Sequence, residues 1–427
     1  MPCPIPPHLP ERLAISFVIW ALFDPPEGGV YHDLEQLVDE HVERGFNCIR
    51  LDDGAGFIHM PDGALRPPVD FTAPFGRFSR TLRQFEYPVS GGRCDLLQRL
   101  CTLAEICCRK HVFLILSSWY FLHGYWLVRS ENDNDALFDV DPLDRLDLFA
   151  RFLDAILTEL KKRHLETCIA FAEILNEADG LKFLAGKYYD GDGYTFKEQS
   201  LDLRRAFRDR HARALAWLRM RHPDILFAYD TCTQWTDAEL MPSGAFHVWN
   251  FHNYFLWQIY TEFESLENIR DFLVDSPCTA DDVRQARAGR RPLTAPDWYD
   301  RAALYNSLAP EKIADIQAWF HRRFRRDYRH YSDKIRETFG HAVDFAAAHC
   351  PDARLVAGEG VSYVGSKMLQ WEECSELYWR LLAEMMTVCR KAGLYGTVIR
   401  TCCGPEDPCW HARPDTLRQL NHLFLHG

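Results

Sequence analysis

The sequence predicts an α/β fold, a (β/α)8 TIM barrel with a large insertion after strand six. Eight short apolar segments with strand character recur along its 427 residues. Segments with helical spacing of apolar residues separate them, and this alternation of strand and helix is typical of a parallel sheet. Eight such units are the number that closes a barrel, which collects functional groups at the carboxyl ends of its strands. We therefore expect one barrel domain over 1–427.

The first four strands are predicted from apolar runs that end at polar residues, Gly or Pro. They lie at 13–20, 47–51, 112–116 and 168–172. Apolar residues at helical spacing predict the helices between them, at 31–44, 96–109 and 142–164. Gly45 ends the first of these helices, since glycine is favoured directly after a helix. A loop rich in Pro, Phe and Arg follows the second strand.

The second half of the chain repeats this pattern with a longer interruption. Its predicted strands lie at 225–229, 246–251, 354–358 and 394–399. Its predicted helices lie at 201–221, 372–392 and 417–425, and the helix after strand five is short. The interval from about 255 to 339 is much longer than an ordinary connection. We expect this insertion to form a cap beside the functional site.

Composition excludes some classes of partner. The formal net charge of −12 argues against nucleic acid, and no apolar segment is long enough to span a bilayer. The first eight residues lack the basic and apolar regions of a secretory signal. We expect a cytoplasmic protein, and its oligomeric state stays open.

The cysteines are expected to be reduced thiols. Their number, 15, is odd, and no Cys-x-x-Cys pair occurs. The groups at 107–108 and 402–409 match no common zinc spacing, so we expect neither a metal nor a cofactor.

Two glutamates stand at the predicted ends of strands, Glu177 after strand four and Glu359 after strand seven. A buried strand that ends in Asn176-Glu177 is a poor structural choice, because both polar groups need partners or water. A facing pair of carboxyl groups is the machinery that cleaves a glycosidic bond, one as the acid and the other as the nucleophile. The sequence therefore predicts a glycosidase with Glu177 and Glu359 as catalytic residues.

The segment Glu173-x-x-Asn176-Glu177 resembles the Glu-x-x-Asn-Glu motif of clan A glycoside hydrolases, which include the family 5 cellulases and mannanases. The resemblance covers most of the barrel, and it implies that Glu177 is the acid/base and Glu359 the nucleophile. It implies that Asn176 binds the sugar 2-hydroxyl. Three more positions match residues that surround the reacting sugar in the clan: Arg50, His252 and Tyr254.

The chain also departs from the clan's pattern. Ala178 replaces a frequent proline, Ser117-Ser118-Trp119 replaces a histidine, and Thr401 stands where an aromatic residue is usual. Trp410 is expected to fill that last role. Tryptophans offer flat apolar faces to sugar rings. The remaining candidate substrate-binding residues near strand ends are Trp20, Trp119, Trp235 and Asp52.

The expected function is a retaining glycoside hydrolase that acts on short oligosaccharides or small glycosides. One alternative is a sugar-binding protein on the same scaffold that has lost turnover, which the departures after strands three and eight favour. Another is a metal-dependent barrel enzyme that uses His252 with Asp and Glu, although the strand ends lack the several histidines such sites usually gather.

Overall fold

The computed structural model contains a closed barrel of eight parallel strands. The residues it describes are 4–18, 21–22, 31–51, 58, 68–70, 93–117, 140–141, 143–179, 201–263, 310–361, 370–401, 403–405 and 407–427. The predicted fold class, a (β/α)8 TIM barrel, is confirmed.

Each strand pairs in parallel with the next along the chain, and the last pairs with the first. The strands are β1 (Leu13–Val18), β2 (Cys48–Leu51), β3 (Phe113–Leu116), β4 (Ile169–Glu173), β5 (Phe227–Thr231), β6 (Val248–Asn253), β7 (Arg354–Gly360) and β8 (Gly396–Val398). All eight lie within two residues of their predicted bounds. A short antiparallel ribbon, Val69–Asp70 with Arg93–Cys94, lies in the interval between β2 and β3.

The helices that surround the barrel are α1 (Leu34–Glu43), α2 (Leu96–Lys110), α3 (Asp144–Lys162), α4 (Leu201–Arg221), α5 (Trp257–Phe263), α6 (Pro310–His349), α7 (Glu376–Lys391), α8 (Pro408–Ala412) and α9 (Pro414–Leu425). Several begin at a side chain that accepts a hydrogen bond from the first turn. Asp33, Asp95 and Ser375 cap α1, α2 and α7 in this way. Such caps satisfy N–H groups that the helix itself leaves without partners.

The barrel interior explains where polar side chains gather. Side chains along a strand alternate between the two faces, so every second residue points inward. Inward residues in the lower part of the barrel are apolar, as with Val248 and Val356. Continuing the alternation upward from Val248 reaches Asn250 and His252. The upper layer of the barrel is therefore polar, at the carboxyl ends of the strands.

Helix α6 revises the extent of the predicted insertion. It is 40 residues long, lies between β6 and β7 in the chain, and packs against α7. Its inner face contributes Ile316, Phe320 and Phe324 to the core, so 310–339 belong to a barrel helix and not to a cap. The first part of the predicted cap, 255–263, contains the short helix α5, and Leu256, Ile259 and Phe263 there belong to the core. The remainder, 264–309, lies outside the described residues. Among the described helices, none is both long and apolar enough to cross a membrane.

Candidate active site

Glu177 follows β4 in a backbone conformation that side chains rarely adopt. Its φ is 51°, in the left-handed region, and its N–H donates to Asp230 Oδ1 at 2.6 Å. Its carboxylate Oε1 lies 2.8 Å from His252 Nδ1. The side chain keeps 20% of its surface exposed, so a ligand can reach it from solvent.

Glu359 lies on β7 and is almost completely buried. Its Oε2 accepts a hydrogen bond from the Tyr254 hydroxyl. Its Oε1 lies 3.2 Å from Arg50 Nη1 and 3.4 Å from His252 Nε2. The Thr401 hydroxyl lies 3.2 Å from that of Tyr254, so the residue that replaces an aromatic side chain supports the tyrosine.

The two glutamates face one another across a narrow gap. Carboxylate oxygens of Glu177 and Glu359, together with a ring nitrogen of His252, all lie within 4.8 Å of one another. The two carboxyl groups are therefore close enough to contact the same small group.

Arg50 on β2 organises the floor of the site. It is fully buried, and its guanidinium donates to the Gly358 carbonyl at 3.0 Å and to Glu173 at 3.1 Å. It also donates to Asn176 Oδ1 at 2.5 Å. One cation at the floor of the site, in the upper layer of the barrel, therefore connects β2, β4 and β7.

Carboxyl groups outnumber the cations in this layer. The acidic side chains around Arg50 and His252 are Glu173, Glu177, Asp230 and Glu359. Burial alone would lower the pKa of His252, but the charges of Asp230 and Glu359 raise it well above its usual value. Burial raises the pKa of Asp230 to about 7, against the lowering effect of His252. Burial also raises the pKa of Glu359, while His252 and Arg50 lower it.

The structure brings together six of the residues that the sequence singled out. These are Arg50, Asn176, Glu177, His252, Tyr254 and Glu359. Trp235 lies in the loop after β5, 42% exposed, with its ring stacked on His341 of α6. The other named candidates, Trp20, Trp119 and Asp52, lie outside the described residues.

Trp410 requires a correction. Its side chain is fully buried, its ring stacks on Phe46, and its Nε1 donates to Glu40 at 2.6 Å. The Arg44 guanidinium lies 4.5 Å from the ring centre. The indole thus packs from α8 against the end of α1 and the residues that follow it, and it is too buried to stack on a sugar.

Two polar residues of the site received no role in the sequence analysis, Asp230 on β5 and Asn250 on β6. Asn250 Nδ2 donates to Asp230 Oδ2 at 2.6 Å and to Glu173 Oε2 at 3.2 Å. The signal was present in the alternation, because both residues lie two positions after an inward apolar residue, Ala228 or Val248. The predicted strands ended too early to use it for Asp230.

In the part of the chain that the structure describes, two groups of side chains are close enough to share a metal ion. The first is Glu177, His252 and Glu359, but the Arg50 guanidinium 3.2 Å from Glu359 makes this a poor cation site. The second is Cys403, Asp407 and Cys409, where the Arg400 Nε lies 3.1 Å from Asp407 and already compensates that carboxylate.

No protein-family model and no curated protein sequence matches the chain. Among solved structures, it is similar to a candidate glycoside hydrolase from Parabacteroides distasonis, with 17% identity and a TM-score of 0.65 over 97% of this chain and 94% of that one. It is less similar to an exo-β-1,4-mannosidase from Opitutaceae bacterium strain TAV5, with 15% identity and a TM-score of 0.45 over 93% of this chain and 54% of that one. For a hyperthermophilic endo-β-1,4-glucanase in complex with substrate, identity is 14% and the TM-score 0.46, over 92% and 90% of the two chains. The first of these likenesses confirms the predicted resemblance at the level of the fold.

Proposed function

We propose that the protein is a retaining glycoside hydrolase that cleaves the O-glycosidic bond of a short oligosaccharide or small glycoside by double displacement. The observation that carries this proposal is the separation of Glu177 and Glu359, whose nearest carboxylate oxygens lie within 4.8 Å. Retaining enzymes place their two carboxyl groups about 5 Å apart, whereas inverting enzymes leave about 6.5–9.5 Å for a water molecule.

Glu359 is the nucleophile in this proposal. It is 2% exposed, and the Tyr254 hydroxyl and the Arg50 guanidinium hold its two oxygens in fixed positions. Burial raises the pKa of Glu359, and Arg50 and protonated His252 oppose that effect and favour the ionised carboxylate that attacks the anomeric carbon. Attack forms a glycosyl ester on Glu359 and expels the leaving oxygen.

Glu177 is the acid/base. It is the more exposed of the two glutamates. Exposure suits this role, because the acid/base must contact the leaving group in the first step and a water molecule in the second. As acid it gives its proton to the glycosidic oxygen. As base it then takes a proton from the water that hydrolyses the glycosyl ester.

Substrate binding is proposed at Asn176 and at the rim. The Asn176 oxygen accepts from Arg50, while its Nδ2 is buried with no hydrogen-bond partner among the described residues. A hydroxyl of the reacting sugar would accept from this amide. Trp235 offers an exposed face at the same end of the barrel, where a sugar ring can stack.

The test is Glu359→Gln, assayed on a panel of aryl glycosides and short oligosaccharides. We expect a loss of kcat of about 10⁴-fold or more, the size seen when other enzymes lose their nucleophile. A 2-deoxy-2-fluoro glycoside with a good leaving group should leave an adduct on the peptide that contains Glu359, detected by mass spectrometry. The matched control is Glu376→Gln, because Glu376 is a surface residue of α7 that pairs with Arg413.

Four results would count against the proposal. Full turnover by Glu359→Gln would show that Glu359 is not the nucleophile. Inverted anomeric configuration in the first-formed product, read by proton NMR, would show that the reaction is not a double displacement. Binding of sugars with no hydrolysis across the panel would favour the sugar-binding alternative. Loss of activity with a chelator would favour a metal-dependent enzyme.

A further inference from the structure

We propose that Asp230 is a positioning residue that fixes Glu177 at two points, directly at its backbone and through His252 at its carboxylate. This inference rests on the proposed function and deepens it. Asp230 is fully buried on β5 and has no access to a substrate, so it acts only through the groups that it contacts.

The first contact is with the backbone of Glu177. Oδ1 of Asp230 accepts the Glu177 N–H at 2.6 Å, at a residue whose φ of 51° is unfavourable for any side chain except in special surroundings. A short hydrogen bond from this N–H to a buried carboxylate provides such surroundings. The Ala178 N–H donates to the Asp230 carbonyl at 3.0 Å, so the same residue holds two successive peptide groups of the turn.

The second contact runs through the imidazole. His252 Nε2 lies 3.3 Å from Asp230 Oδ2, and Nδ1 lies 2.8 Å from Glu177 Oε1. Nε2 also lies 3.4 Å from Glu359 Oε1, and both Nε2 contacts are ion-pair distances without hydrogen-bond geometry. Two negative charges at this distance favour the protonated ring. The ring is therefore a cation between the charge of Asp230 and the carboxyl group of Glu177. Oε1 of Glu177 accepts from Nδ1–H, and the proton that Glu177 delivers as acid is carried by its other oxygen.

Asp230 itself has little freedom to move. Asn250 Nδ2 donates to its Oδ2 at 2.6 Å and also reaches Glu173. Arg50 is a weaker partner, at 3.4 Å from the same oxygen. The shortest contacts of Asp230 thus go to Glu177 and Asn250, which is the arrangement expected of a support and not of a simple counter-ion for Arg50.

The charged groups that face His252 come from three strands. In the part of the chain that the structure describes, they are Glu177 after β4, Asp230 on β5 and Glu359 on β7. The Tyr254 ring lies at right angles, with its centre 6.1 Å away. Asp230 and Glu359 are the two charges that raise the pKa of His252 against the effect of burial. Removal of the Asp230 charge leaves only one of them, so proton binding by His252 becomes weaker.

The test is Asp230→Asn, which preserves shape and removes charge. In NMR of ¹⁵N-histidine-labelled protein, with the His252 signal assigned by His252→Gln, the native ring should stay doubly protonated well above the usual histidine pKa of about 6.5. In Asp230→Asn it should lose its proton at least about one pH unit lower, the size expected for loss of an adjacent charge. kcat should fall about 10²-fold, the effect of a misplaced general acid, with KM changed less than about threefold.

The matched control is Asp179→Asn. Asp179 is also buried beside the site, but the described groups that donate to it are neutral, the Cys232 N–H and the Thr236 hydroxyl. This variant should leave the His252 titration unchanged, whatever its stability. A native His252 that titrates near pH 6.5, or an Asp230→Asn titration equal to the native one, would overturn the inference.

The NMR reading separates this inference from the proposed function. If native protein hydrolyses no glycoside while His252 titrates as expected and responds to Asp230→Asn, the proposed function fails and the support of Glu177 by Asp230 stands. If hydrolysis occurs and His252 does not respond, the inference fails alone. If Asp230→Asn does not fold, the titration of His252 in the native protein remains as the test, because a midpoint near pH 6.5 overturns the inference.

Discussion

At the residue scale, Asn176 shows how a side chain serves the fold and a ligand at once. Its oxygen belongs to the fold, because it accepts from Arg50 at 2.5 Å. Its Nδ2 is buried and has no hydrogen-bond partner in the described part of the chain. A buried amide donor without a partner is unfavourable by about 1–3 kcal/mol, and native structures seldom keep one without a reason. A bound sugar hydroxyl would supply the reason.

The prediction at this scale is a double comparison with Asn176→Ala and a 2-deoxy substrate. Hydrogen bonds to the 2-hydroxyl strengthen in the transition state of such reactions and contribute several kcal/mol. We expect Asn176→Ala to lower kcat/KM by about 10²-fold or more on the ordinary aryl glycoside. On the 2-deoxy analogue the loss should be much smaller, since the contact is already missing. Equal losses on both substrates would mean that Asn176 acts only by holding Arg50.

At the element scale, the packing of β6 against β7 requires a small residue, Gly358, opposite a larger one, Asn250. A Cβ added at Gly358 would lie 2.2 Å from Asn250 Oδ1 and 2.6 Å from its Nδ2. Asn250 cannot easily turn away, because its amide donates to Asp230 and Glu173. The polar layer thus requires glycine at 358 because the Asn250 side chain lies too close for a Cβ, and not because of the backbone conformation.

Gly358→Ala should therefore destabilise the protein by about 1–3 kcal/mol, the usual effect of overpacking a buried site. The control is Gly340→Ala on α6, where an added Cβ meets nothing within 4 Å. Alanine is favoured over glycine inside a helix, so this second change should stabilise by about 0.5–1 kcal/mol. Urea unfolding followed by circular dichroism measures both, and a Gly358→Ala protein as stable as the parent would contradict the account.

The same strands show where sequence reasoning reaches its limit. Alternation along the strands is enough to predict the barrel and to place Arg50 and His252 inside it. Counting inward from Val356 by twos, however, reaches Gly358 and would turn Glu359 outward. The register between β6 and β7 shifts there, so that His252 pairs with Glu359 and the glutamate points into the barrel. Such an irregularity re-aims one side chain and leaves no mark in the hydrophobic pattern. Glu359 was therefore predicted from its place at the end of strand seven and from the family resemblance, and not from alternation.

At the scale of the whole molecule, buried histidines outside the site affect how the barrel responds to acid. His211 on α4 packs between Phe207 and Tyr229, and it is 1% exposed. Neither of its ring nitrogens has a hydrogen-bond partner among the described residues. Burial lowers the pKa of His211 to about 3. The sequence did not mark this residue, since a histidine in an amphipathic helix looks the same whether its side chain faces solvent or the core.

The last prediction follows from that lowered pKa. The unfolded chain takes up a proton at His211 near pH 6.5, while the folded protein resists it until about pH 3. Stability from the neutral ring is therefore complete above pH 6.5 and is lost as the pH falls towards 3. Phenylalanine takes up no proton, so His211→Phe removes this loss. The free energy of unfolding of the variant minus that of the parent should therefore rise by roughly 2–3 kcal/mol from pH 7 to pH 4.5. Urea unfolding of both proteins at the two pH values measures the change, with exposed His426→Phe as the control that should show none. A pH-independent difference between parent and variant would mean that folded His211 takes up its proton at the same pH as the unfolded chain, and would contradict the lowered pKa.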